Sequence, residues 1–170
     1  MHSKVILTAI GSDRPGLTRA LAQAVQQAGG NWLESHLSRL GGKYVGSVLV
    51  EIDAERLAGF EQAIRAVDSL GLAVMLAPAG EEPEAAGDML GVELVGQDRP
   101  GIVHEVTGVL EGLGVNIEEM STGTENSAWS GGMLFRANLR LRLPQGTTSD
   151  AVRAALEAIS GEIMVDFAFS

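Results

Sequence analysis

The 170-residue chain contains no cysteine. That absence removes disulfide frameworks, cysteine-based zinc sites, iron–sulfur clusters and thiol nucleophiles together, and leaves His2, His36 and His104 as the only imidazoles. No apolar run approaches the roughly 18 residues a membrane helix needs, and no secretory signal pattern opens the chain, so the expectation is a cytoplasmic protein with no membrane partner. Positive charge is scarce: 12 basic residues face 22 acidic ones, for a net charge of −10. Such a chain is repelled by phosphate backbones unless a local basic patch intervenes. The sequence has none, which argues against direct nucleic-acid binding. No Gly-x-Ser-x-Gly elbow occurs and no nucleophile is paired with a base, so the chain does not read as an enzyme. Gly112-Leu-Gly-Val-Asn-Ile117 begins like a dinucleotide loop, but its third glycine is missing and it ends a helix instead of starting one. No cofactor and no metal are implied.

What the sequence does contain is a repeat. Gly11-Ser-Asp-Arg-Pro-Gly16 recurs as Gly96-Gln-Asp-Arg-Pro-Gly101, displaced by 85 positions, half the chain length. The same displacement carries Gly29 onto Gly114 and Asn31 onto Asn116. It also maps the stripe Leu17, Leu21, Ala24, Val25, Ala28 onto Ile102, Val106, Val109, Leu110, Leu113, the spacing of a one-sided amphipathic helix. Two copies of one fold follow, residues 1–78 and 89–170. Between them lies Ala79-Gly-Glu-Glu-Pro-Glu-Ala-Ala-Gly-Asp88, an acidic linker with no apolar periodicity. The first copy is neutral, with 7 basic and 7 acidic groups, whereas the linker carries 4 acidic groups and the second copy 5 basic and 11 acidic. The acidic half is therefore the one that suits a basic protein surface.

Each copy reads strand, helix, strand, strand, helix, strand. In the first, Val5–Ile10 is a strand and a helix runs to about Ala28, closed by Gly29-Gly30. Strands 31–40 and 43–52 meet at Gly41-Gly42, a hairpin turn requiring positive φ. Leu57, Phe60, Ile64 and Val67 mark a second helix, and 72–76 a closing strand. The second copy repeats the order with 89–95, 100–113, 115–124, 133–143, 149–159 and 163–169, and its central hairpin is about five residues longer, around 125–132. Right-handed crossovers turn this order into a four-stranded antiparallel sheet, 4-1-3-2, with both helices on one face: an α+β, ferredoxin-like βαββαβ unit, twice. Units of about 80 residues bury roughly 60% of their surface, so the sibling copy or a second chain is expected against the bare sheet faces or edges.

The repeated turn supports two readings. Asp13 and Asp98 sit where an N-cap carboxylate could accept from the first helix amides, and Pro15 and Pro100 fit a first turn; on this reading the motif simply starts a helix. On the other, Gly16 and Gly101 clear the space before a helix N-terminus for an anionic ligand group such as a carboxylate. Asn31 and Asn116 open the next strand, where their amides could read an amino-acid zwitterion or cap the preceding turn. His104 beside Glu105 invites an acid/base or metal reading, but adjacent helix residues point different ways. Trp129 in the long hairpin is a packing residue or a partner anchor.

These residues resemble the ACT-domain family, whose first loop reads Asp-x-Pro-Gly and whose second strand begins with Asn and a hydrophobe, here Asn31-Trp32 and Asn116-Ile117. Two such units with nothing attached resemble the glycine cleavage system transcriptional repressor family. That resemblance implies an amino-acid-responsive accessory regulator that has no DNA-binding domain of its own and acts through a protein partner, such as a transcription factor, in response to glycine. It places the effector at domain interfaces, against Asp13, Gly16 and Asn31 in the first copy and Asp98, Gly101 and Asn116 in the second. The alternative it leaves is a ligand-binding regulatory subunit of an amino-acid-metabolising enzyme.

Overall fold

The computed structural model describes residues 2–67, 71–81, 86–127 and 131–168. The chain divides into two compact units, residues 1–82 and 83–170. In the first, β1 (His2–Ser12), α1 (Leu17–Gln27), β2 (Asn31–Leu40), β3 (Lys43–Asp53), α2 (Leu57–Ala66) and β4 (Leu72–Pro78) follow one another. Their sheet has the order β2-β3-β1-β4, antiparallel throughout. The second unit repeats it: β5 (Asp88–Gln97), α3 (Ile102–Gly112), β6 (Asn116–Asn126), β7 (Met133–Leu143), α4 (Ser149–Glu157) and β8 (Met164–Ala168), in the order β6-β7-β5-β8. The expected topology is thus present in both halves. The segment read as a linker overlaps residues 82–85, which lie outside the described residues. Its last residue, Asp88, already pairs with Leu143 and opens β5.

Each unit has its own core, built from the helix stripes and every second strand residue. Leu17, Leu21, Ala24 and Val25 of α1 and Phe60 and Ile64 of α2 bury against Val5, Leu7, Val48, Val50 and Ile52. In the second unit Ile102, Val106 and Leu110 of α3 and Val152 and Leu156 of α4 bury against Val92, Leu94, Leu139 and Leu141. No charged residue is buried among those described. The two-residue turn between β2 and β3 has positive φ at both Gly41 and Gly42, as a hairpin of that length demands. Its counterpart between β6 and β7 spans Ser127–Gly132, and Trp129 lies outside the described residues.

Both central helices end identically. Gly29 adopts φ 79°, its amide donates to the carbonyl of Gln26, and that of Gly30 donates to Val25. Gly114, at φ 68°, donates to Glu111, and Val115 donates to Leu110. This crossed pair satisfies the last free carbonyls of the helix and turns the chain back onto the sheet. Asn31 and Asn116 therefore enter the edge strands in register. Each entry carries the same irregularity: pairing slips between Trp32 and Glu34 and between Ile117 and Glu119, leaving Leu33 and Glu118 as the extra residues of a β-bulge.

Candidate functional site: the repeated turn and its flanking edge strand

The turn does not cap its helix with aspartate. The N-cap positions are Gly16, at φ 91°, and Gly101, at φ 89°, and neither helix has a side-chain cap. Because the helices start at Leu17 and Ile102, Asp13 and Asp98 lie three residues before the cap, too early to reach its amides, and Pro15 and Pro100 precede the cap instead of filling the first turn. The glycines are required by the left-handed backbone, which lets the chain swing from strand into helix. Nothing lies within 4 Å of where a Gly16 side chain would begin, so the first helix start faces open space.

The aspartates have different partners. Asp13 forms an ion pair with Arg39, Oδ2 to Nε 3.1 Å, tying the first turn to the β2–β3 hairpin, and Lys43 Nζ reaches Ser12 Oγ at 3.3 Å. In the second unit the backbone amide of Asp98 donates to Met133. Thr18, in the first turn of α1, hydrogen-bonds the hydroxyl of the buried Tyr44 at 2.8 Å. Its 85-residue counterpart is Val103, and Phe135 takes the position of Tyr44, because Gly11 pairs with Tyr44 as Gly96 pairs with Phe135.

Sequence reasoning missed the ion pairs of the second unit, two of which involve the turn or the head of the edge strand. Arg99 donates both terminal nitrogens to Glu105, at 2.5 and 2.6 Å, so Glu105 answers the turn rather than His104. The signal was there: a basic turn residue and an acid in the first helical turn, on either side of Gly101. On the edge strand, Asn116 Nδ2 donates to Glu118 Oε1 at 2.9 Å, and Arg142 Nε donates to the same oxygen at 2.9 Å. The Arg99 hydrogen bonds hold Glu105 below the usual glutamate range, and those of Asn116 and then Arg142 do the same for Glu118.

A depressed folded-state value means these contacts support the fold above the unfolded glutamate pKa of about 4.3 and are lost as pH falls through the folded value. An NMR titration of the side-chain carboxyl carbons is expected to show Glu105 titrating below the ordinary range. Substituting Arg99→Ala should return its midpoint upward; an unchanged midpoint would contradict the assignment.

Two surface pockets lie beside the helices, and one of them reaches a candidate residue. One, of about 450 Å³, runs between α3 and the start of β6 and is lined by Thr107, Glu111, Gly114, Val115, Asn116 and Ile117. Asn116 is thus the candidate residue that lines a described cavity. Thr107 spends its hydroxyl on the carbonyls of Val103 and His104. A second, of about 490 Å³, lies between α2 and β4 and includes none of the candidate residues. In the corresponding place of the second unit Arg153 lies 4.1 Å over the ring of Phe167. His36 sits on β2 in an exposed pair with Glu34, 3.1 Å apart. No group of three or more potential metal-ligating side chains occurs among the described residues, and no described helix is long and apolar enough to cross a membrane.

Fold and turn together define a duplicated ferredoxin-like α+β protein, in which each copy presents a strand-to-helix turn at one end of its sheet and the asparagine that opens its edge strand at the other. Known proteins show which family builds such a pair. Residues 3–76 and 91–139 each match the ACT domain. Over 98% of both chains, the structure superimposes on an unknown protein from Galdieria sulphuraria, with 25% identity and a TM-score of 0.77. A candidate glycine cleavage system transcriptional repressor aligns over 100% of this chain and 99% of its own, with 16% identity and a TM-score of 0.73. No curated protein matches the sequence. The chain belongs to the ACT-domain family, a family of regulatory domains.

Proposed function

We propose that the protein is an amino-acid-responsive regulator that acts through a protein partner, as an accessory transcriptional regulator of glycine cleavage genes. The observation that carries this reading is the doubled turn: Gly16 and Gly101 adopt the same left-handed conformation at the start of a helix in both units. There the free amides and the helix dipole favour an anion such as an amino-acid carboxylate. The effector's place is the turn, Asp13 and Gly16, with Asp98 and Gly101 at the equivalent positions of the second unit; Asn31 and Asn116 lie at the opposite end of each sheet, where they form a second candidate contact. Likeness to a candidate glycine cleavage system transcriptional repressor supports a role in glycine cleavage, and the net charge of −10 agrees with regulation through a protein instead of through DNA.

A thermal-shift panel of the twenty amino acids tests the reading. A ligand present at 100 times its Kd should stabilise the protein by about 2.7 kcal/mol. Glycine or another small amino acid is expected to raise Tm; a panel with no shift rejects the effector. A gel-shift assay at low salt should show no sequence-specific DNA retardation by the protein alone.

A further inference from the structure

We infer that the free edge of β4 is a docking surface for a second copy of this chain, the two β4 strands pairing antiparallel about a twofold axis at Met75 and joining two four-stranded sheets edge to edge. The sheets end in β2 and β4 in the first unit and in β6 and β8 in the second. Edge strands expose unpaired N–H and C=O groups, and charged side chains along them keep other strands off. β2 carries Glu34, His36 and Arg39, β6 carries Glu118, Glu119 and Glu125, and β8 carries Asp166. β4, Leu72-Ala-Val-Met-Leu-Ala-Pro78, has no charge at all, and Met75 at its centre is 74% exposed.

The second unit guards the equivalent edge. Met75 lies opposite Thr8 and Asp166 opposite Glu93, while Leu76 lies opposite Leu7 and Phe167 opposite Val92; Thr8 and Glu93, like Leu7 and Val92, are separated by the 85-residue displacement. A carboxylate thus stands in β8 where β4 has a thioether. Arg153 covers the ring of Phe167, whereas the first unit leaves open the groove of about 490 Å³ beside Val74 and Leu76, flanked by Glu61 and Arg65 of α2. A twofold axis at Asp166 sets like charges directly opposite one another, which is unfavourable; one at Met75 sets apolar chains together. The first copy, with 7 basic and 7 acidic groups, also approaches its own kind without net repulsion, unlike the acidic second copy.

The occupant is a second copy because β4 is complementary to itself. Reversed about Met75, Ala73 meets Ala77 and Val74 meets Leu76, small against small and branched against branched. The hydrogen-bonding phase agrees. The amide of Ala79 donates to the carbonyl of Lys4 at 2.9 Å, and bonded pairs alternate along an antiparallel ladder. Residues 73, 75 and 77 therefore turn their backbone groups to β1, and 72, 74, 76 and 78 turn theirs to the free edge. Val74 and Leu76 of one copy exchange bonds with Leu76 and Val74 of the other, and Leu72 donates to Pro78. The missing N–H of proline falls at the last pair, where it interrupts nothing. The partly buried Val74 and Leu76 are covered by the second copy. The same axis sets the two α2 helices side by side in opposite directions, so that Glu61 of each meets Arg65 of the other; neither residue has an ion pair among the described residues.

Sedimentation equilibrium of the full-length chain tests the inference. A dimer is expected, at twice the chain mass of 17.8 kDa. Met75→Lys opposes two ammonium groups at the axis and should weaken the dimer by about tenfold or more. Asp166→Lys, at the equivalent position of β8, should leave it within about twofold of the wild type, and circular dichroism should show both variants folded. Because the chain has no cysteine, Met75→Cys gives a second reading. Opposed residues of a non-hydrogen-bonded pair have Cα atoms about 4.5 Å apart, within disulfide range, so mild oxidation should cross-link this variant into dimers on a denaturing gel and leave Asp166→Cys uncross-linked. A monomeric wild-type chain, a dimer that Met75→Lys leaves intact, failure of Met75→Cys to cross-link, or equal cross-linking at the two positions overturns the inference. None of these outcomes touches the proposed effector, which the amino-acid panel judges by itself.

Discussion

Substituting Phe60→Ala is expected to unfold the first unit selectively. Phe60 is the largest side chain with no solvent exposure and belongs to a cluster that shares no residue with the core of the second unit. Truncating a buried phenylalanine costs about 3–5 kcal/mol, through lost transfer energy and the cavity left behind. A unit of about 80 residues has a total stability of roughly 4–12 kcal/mol, so the loss consumes a large share of it. Hydrogen exchange read by mass spectrometry should show protection collapsing across β1, β3 and α1 while β5, β7 and α3 keep theirs. Uniform loss across both units would show that the cores are energetically one. On the proposed reading, effector binding should disappear in the same variant, because the turn and Asn31 are held by the elements that Phe60 supports.

Much of the fold was legible because the patterns that determine it are local and doubled. The stripe Leu17, Leu21, Ala24, Val25 and its copy Ile102, Val106, Leu110 could bury only one helix face, and Gly29 and Gly114 could end those helices only through positive φ. The strand order followed from connection lengths and crossover handedness.

The turn was less legible. Asp13 and Asp98 are residues that commonly cap helices, and only the backbone shows that the glycine three positions later holds the cap. Differences between the copies were hidden for another reason. Arg142 and Glu118 are 24 residues apart in sequence and become neighbours only when β6 pairs with β7 across a bulge. The displacement that reveals the repeat also conceals them, because it draws attention to the positions that match and away from those that do not.

A second large effect is expected at Gly46. This residue lies on β3 opposite Leu37 of the edge strand, at φ 156°. A side chain there would collide with the backbone carbonyl of His36 and approach the Leu37 Cα to 2.8 Å, with only backbone to move aside. Both neighbours belong to β2, so the collision is relieved only by pushing that strand off the sheet. Gly46→Ala should cost about 2–4 kcal/mol, combining overpacking with an unfavourable backbone conformation. The second unit supplies the control: pairing places Ala137 opposite Leu94 as Gly46 lies opposite Ala9, and Ala137 is buried there without a positive φ. Ala137→Gly should cost only about 1 kcal/mol, chiefly backbone entropy. The consequence reaches the candidate site because β2 begins with Asn31. Urea denaturation of the two variants, combined with titration of the effector, separates the effects: Gly46→Ala should lose both stability and binding, and Ala137→Gly should keep its binding. Equal costs at the two positions would mean that the close approach of β2 to β3 places no demand on the residue at 46.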